Sequence, residues 1–143
     1  MIYDVEKYLF SLETKGIKLG LSRTKELLKE CGSPHKNTPI IQVLGTNGKG
    51  STSAILYKLL NLEHKVGLYT SPHLYSFCER IRYSGRSISL SEVQEYLTKY
   101  QSIIENINAS FFEVMTVMAI WYFNKKNADY AILETGLGGQ FDS

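Results

Sequence analysis

The chain has 143 residues, 43% of them apolar and 21% charged, with 16 basic against 14 acidic side chains for a formal charge of +2. This is the composition of an ordinary globular domain, and its balanced, scattered charge leaves no footprint for nucleic acid or an anionic membrane. Two cysteines, Cys31 and Cys78, make neither a disulfide framework nor a metal-ligand spacing, so they read as free thiols of a cytoplasmic protein.

Ile2, Val5, Leu9 and Leu12 recur at helical spacing, so the first dozen residues are predicted to form an amphipathic helix. Asp4, Glu6 and Lys7 within it exclude the apolar core of a signal peptide. After a polar stretch, Ser22 is placed to cap a second helix that ends at Cys31, with Gly32 as terminator and Pro34 beyond. Ile40 to Leu44 reads as a buried strand, and the helix after the glycine loop is expected to run to about Leu62. Ala54, Ile55, Leu59 and Leu62 share its face. Val66 to Tyr69 is a second strand. Glu79 to Tyr83 followed by Ser84-Gly85-Arg86 predicts a hairpin. Ser89 with Glu92 forms a capping box for a helix over Val93 to Ile104. Phe111 to Phe123 is predicted as an interior helix; its longest apolar stretch, from Val114, is half of what a bilayer span requires. Tyr130 to Leu133 is a third buried strand, closed by Glu134 and followed by Gly136-Leu137-Gly138-Gly139.

Strands alternating with helices predict an α/β fold with a mostly parallel sheet covered on both faces, the three-layer sandwich of P-loop proteins. Ligands of such sheets bind beyond the carboxyl ends of the strands. The glycine- and hydroxyl-rich segments of this sequence follow strand ends.

The segment Gly45-Thr46-Asn47-Gly48-Lys49-Gly50-Ser51 joins a strand to a helix. The first N–H groups of a helix lack internal partners and lie at the positive end of its dipole, and glycines let the backbone approach a phosphate closely. Lys49 adds a full charge able to reach β- and γ-phosphates, and Ser51 or Thr52 adds a hydroxyl. Against the general pattern G-x-x-x-x-G-K-[ST], Val43 replaces the first glycine and Gly50 separates Lys49 from Ser51. A plain glycine turn with an exposed lysine is the alternative, yet it needs fewer such residues.

Phosphoryl chemistry uses a divalent metal with oxygen ligands. Glu134, closing an apolar strand at the same sheet edge, is the first candidate ligand, and Ser71 after the second strand is another. Thr70-Ser71-Pro72 also reads as an ordinary turn. His73 is taken as structural. Phe111-Phe112 offers flat faces to a heterocycle or simply joins the core. Arg80 and Arg82 either bind a carboxylate or face water from an edge strand.

Together these residues resemble the folylpolyglutamate synthase and dihydrofolate synthase family. The resemblance is carried by Leu19-Gly20-Leu21-Ser22-Arg23, the phosphate loop as spelled above, Gly67-Leu68-Tyr69-Thr70-Ser71-Pro72-His73-Leu74, Glu79-Arg80-Ile81-Arg82, Phe111-Phe112-Glu113 and Leu133-Glu134-Thr135-Gly136-Leu137-Gly138-Gly139. It implies an ATP-dependent ligase: a carboxylate of dihydropteroate or a folate is phosphorylated by Mg·ATP, and the amine of L-glutamate then displaces phosphate. It assigns Gly45 to Thr52, with Lys49 as the catalytic cation, to ATP, and Ser71 and Glu134 to Mg2+. It assigns Gly20, Leu21, Ser22, Arg23, Phe111, Phe112 and Glu113 to the pterin-bearing substrate, and segment 71–82 to a loop ordering near it. A full-length member is expected to act as a monomer on small molecules, without nucleic acid or membrane.

Cys78 and Gln140 depart from residues common in the family. Members are also about three times longer, so residues 1–143 are expected to form the N-terminal part of the ATP-binding domain, without the C-terminal domain. Two other readings remain at this point. One is a nucleotide-binding fragment without ligase activity. The other is a peptidoglycan-precursor amino-acid ligase, against which Gly50 argues because those proteins usually place threonine directly after the lysine.

Overall fold

The computed structural model of the protein describes residues 4–135. Five strands form one sheet: β1 (Ile40–Val43), β2 (Val66–Tyr69), β3 (Ile81–Tyr83), β4 (Arg86–Ser87) and β5 (Tyr130–Glu134). Among the described residues five α-helices accompany it: α1 (Val5–Glu13), α2 (Ser22–Glu30), α3 (Lys49–Leu60), α4 (Leu90–Asn106) and α5 (Phe111–Lys125). The spatial order is β1-β5-β2-β3-β4. β5 lies between β1 and β2 and is parallel to both, pairing Val43 with Glu134 and Tyr69 with Leu133. β2–β3 and β3–β4 are antiparallel. The α/β architecture is as the sequence predicts, but the sheet is mixed, because the predicted hairpin joins it along β2. The hairpin itself starts later than expected: Phe77–Arg80 is a 3-10 turn, and only Ile81–Tyr83 is strand.

Local sequence sets the helix ends. Asp4 caps α1 by accepting from the Lys7 N–H at 2.9 Å. Ser89 and Glu92 make both hydrogen bonds of the predicted capping box at α4, and α2 gives way to Gly32 at φ 80°. Ser22 does not cap α2. It is the first helical residue, and Leu21 occupies the cap without a side-chain hydrogen bond.

One face of the sheet carries the main core. α5 is buried from Val114 to Phe123, packed with Tyr96, Leu97 and Ile104 of α4, Leu27 of α2 and Leu9 and Leu12 of α1. Contact with the sheet is so close that a Cβ on Gly67 would lie 2.3 Å from the Phe123 ring; β2 therefore needs glycine there. The opposite face is thinner. Val43, Val66, Leu68 and Ile132 pack there with Leu56, Tyr57 and Leu60 of α3. Ala54, Ile55, Leu59 and Leu62 are exposed, α3 ends at Leu60, and the helix turns a different stripe to the sheet.

Candidate functional site

The parallel register brings the carboxyl ends of β1, β5 and β2 to one edge. From β1 the chain enters the glycine loop, and Gly48, at φ 71° and ψ 9°, is the cap residue of α3. A left-handed cap suits glycine and turns the chain directly into the helix. The cap has no side-chain hydrogen bond, so no side chain of the cap residue takes up the N–H groups that open the helix, the arrangement that receives an anion. Lys49 is the first residue of α3 and half-buried, whereas Gly45, Thr46, Asn47, Gly48, Gly50, Ser51 and Thr52 are exposed.

Glu134 ends β5 beside this loop. A Cβ on Gly50 would lie 4.0 Å from its Oε2, which places the carboxylate against the start of α3. Glu134 is 8% exposed. Burial raises its pKa from the ordinary glutamate value, and the Lys49 charge partly opposes that rise,. Among the described residues its carboxylate makes no ion pair. An under-compensated carboxylate on a rigid strand end fits a hard divalent cation such as Mg2+. Ser71, just beyond β2 on the other side of β5, adds a hydroxyl at the same edge. No group of three or more His, Cys, Asp or Glu side chains able to hold a metal occurs among the described residues, so Glu134 and Ser71 would leave much of a coordination shell to phosphate and water. Thr135 ties this arrangement together: its N–H and its Oγ1 both donate to the Val43 carbonyl at 3.1 Å. The glycine segment 136–139 and Gln140 lie outside the described residues.

The substrate residues inferred from resemblance also come together, ninety positions apart in sequence. Arg23 Nε donates to Glu113 Oε1 at 2.9 Å and Oε2 at 3.1 Å, with Glu113 only 1% exposed. Glu113 also accepts from the Ser110 N–H at 2.8 Å, completing a capping box for α5. Its carboxylate is thus already committed to holding α2 against the start of α5. Phe111 is buried and Phe112 half-buried, while Ser22 is exposed and Gly20 and Leu21 are half-buried.

Between these clusters runs segment 71–80. Glu79 folds it by accepting from the N–H groups of Leu74 at 3.1 Å, Tyr75 at 3.0 Å and Ser76 at 2.9 Å. Those backbone donors hold the Glu79 carboxyl below its ordinary pKa. Arg80 is neither on a strand nor facing water. It is 4% exposed, donates from Nε to His73 Nδ1 at 2.8 Å, and stands 5.0 Å from the Phe111 ring centre and 5.8 Å from that of Phe112. Sequence reasoning leaves Arg80 open between binding a carboxylate and facing water, takes His73 as structural, and misses the Ser110–Glu113 box. The S-x-x-E spacing before an apolar run is the signal that marks the latter.

A glycine loop, a carboxylate and a hydroxyl thus share one edge of a mixed α/β sheet. No family model matches the sequence. A probable bifunctional folylpolyglutamate synthase/dihydropteroate synthase of Haloferax volcanii is 35% identical over 99% of this chain and 18% of its own length. A solved structure of Escherichia coli FolC in complex with DHPP and ADP superposes with a TM-score of 0.88 and 34% identity over 96% of this chain. A bifunctional folylpolyglutamate synthase/dihydrofolate synthase with Mn, AMPPNP and L-glutamate bound gives 0.85 and 34% over the same share. The chain spans 34% of each of those two structures. It is homologous over nearly its whole length to one segment of the folylpolyglutamate synthase and dihydrofolate synthase family.

Proposed function

We propose that this chain is the N-terminal part of the ATP-binding domain of a cytoplasmic ligase that joins L-glutamate to dihydropteroate, a folate or both. The observation that carries the reading is the meeting of the Gly45–Thr52 loop, Ser71 and Glu134 at one sheet edge, in a fold whose solved neighbours hold ADP or AMPPNP. In this reading the amides opening α3 and Lys49 bind the phosphates of ATP and draw charge from the γ-phosphoryl group. Glu134 and Ser71 would hold Mg2+, which when bound would supply neutralisation of phosphate charge. The carboxylate to be joined attacks the γ-phosphorus and ADP leaves; the glutamate amine then attacks the acyl phosphate, and inorganic phosphate departs as the amide forms. A carboxylate has no adequate leaving group until it is phosphorylated, so binding and positioning supply most of the catalysis.

The exposed apolar residues Ile40 and Leu44 at β1, and Ile55, Leu59 and Leu62 at α3, support placing the chain within a larger domain. For the 143 residues alone we expect ATP binding with little or no turnover. The test is phosphate release from ATP by the full-length product, given L-glutamate with dihydropteroate or tetrahydrofolate. Absence of folate-dependent turnover there defeats the reading. Lys49→Ala is expected to abolish turnover in the full-length product, and unchanged activity removes Lys49 from its role.

A further inference from the structure

Arg80 poses a problem in charge. The residue is 4% exposed, and no carboxylate pairs with its guanidinium among the described residues. Nη1 is buried without a hydrogen-bond partner. A buried cation costs several kcal/mol unless it is compensated, and two phenylalanine faces return only about 1–2 kcal/mol.

Its contacts indicate what it does. The Nε–H can only donate, so His73 Nδ1 must be an acceptor with its lone pair toward Arg80,. That fixes the tautomer of the imidazole and leaves the Nε2–H on the opposite edge of the ring. Arg80 also braces Phe111, and its carbonyl accepts from Thr70 N–H at 2.9 Å, beside Ser71. His73 and Phe111 both line a cavity of about 200 Å³, whose other walls include Phe77 and the acidic residues Glu6 and Glu13 of α1.

We propose that Arg80 is a positioning residue for this cavity: it selects the Nε2–H tautomer of His73 and sets the Phe111 wall for a flat heterocycle bearing both acceptor and amino groups. The donor comes from His73 and the acceptors from Glu6 and Glu13, with Phe77 and Phe111 as apolar walls. Identifying that heterocycle with the pterin rests on the proposed function; the tautomer and the coupling of Arg80 to His73 do not.

The test uses the full-length product, with His73 followed by long-range proton–nitrogen NMR and binding followed with dihydropteroate. In the unsubstituted chain His73 should carry its proton on Nε2. Arg80→Lys keeps the charge but loses the Nε donor, so it should mix the tautomers and weaken dihydropteroate binding roughly tenfold, about 1.4 kcal/mol. ATP affinity should stay within about twofold. In a His73→Asn background, Arg80→Lys should cost clearly less, since a residue acting through its neighbour gives non-additive effects. A proton on Nδ1 in the unsubstituted chain overturns the proposal, and does so even if the lysine variant fails to fold. An unchanged tautomer in Arg80→Lys, or strictly additive losses, also overturns it. If the tautomer responds as expected but the chain binds no dihydropteroate, the coupling stands and the pterin reading falls.

Discussion

The two faces of the sheet are built to different degrees. On the α5 side, helices close a continuous core in which Val114, Met115, Val117, Met118, Ala119 and Phe123 are all 0% exposed. On the α3 side the buried set shrinks to Val43, Val66, Leu68 and Ile132, while Leu59 is 61% and Leu62 80% exposed. The complete face lies behind the proposed pterin cavity, and the incomplete one behind the phosphate loop. The difference teaches that stability and nucleotide chemistry reside on opposite sides of β5, so substitutions should separate them.

The largest effect should come from the complete face. Phe123→Ala removes a fully buried ring that lies against Gly67, and should cost about 4 kcal/mol in urea unfolding; a loss below about 1 kcal/mol would mean this core is not as tightly packed as described. Arg23→Met should follow at about 3 kcal/mol, because it leaves the Glu113 carboxylate buried with only the Ser110 N–H,. Near-native stability for that variant would show that Glu113 does not depend on Arg23.

Next comes a chemical probe of the same face. Burial pushes the Cys31 thiol from 9.0 to about 11, although the Tyr96 and Tyr100 hydroxyls oppose the rise. Its thiolate fraction at pH 8 should therefore fall about a hundredfold on folding, and labelling by a disulfide reagent should slow accordingly. The sign for stability follows. A folded pKa above the unfolded one favours the neutral thiol, so this contribution is present below about 9 and is lost as the pH rises through about 11,. Equal labelling rates with and without urea would contradict it. The smallest effect belongs to the open face. Leu59→Lys should change stability by less than about 0.5 kcal/mol and raise solubility; a loss above about 1 kcal/mol would show that Leu59 is covered in solution.

Much of this was legible beforehand. The loop between β1 and α3, the positions of β2 and β5 and the Ser89–Glu92 box rest on spacing within a few residues, and the structure has each of them; β1, read as a buried strand, instead leaves Ile40 38% exposed and buries only Val43. Ile55, Leu59 and Leu62 share a helical face, as their spacing indicates; periodicity shows that a face is apolar but not whether anything covers it. Glu113 was assigned to substrate through resemblance, although Ser110-Phe111-Phe112-Glu113 spells a capping box. Its pairing with Arg23 is a tertiary contact that no local pattern encodes. Arg80 reads as a strand residue by alternation, and only the fold of segment 71–80 around Glu79 turns it inward.

The strand order also dictates a sequence of events. β1 and β2 never touch; each pairs only with β5 among the parallel strands, which is made some ninety residues after β1. During synthesis β1 must therefore wait, with the phosphate loop held at one end only, until Tyr130–Glu134 emerges and slides in beside it. Long-range pairing of this kind is slow to form, and it leaves an unpaired apolar strand exposed meanwhile. Nucleotide binding should thus switch on late and abruptly as the chain lengthens, at the moment the middle strand is inserted.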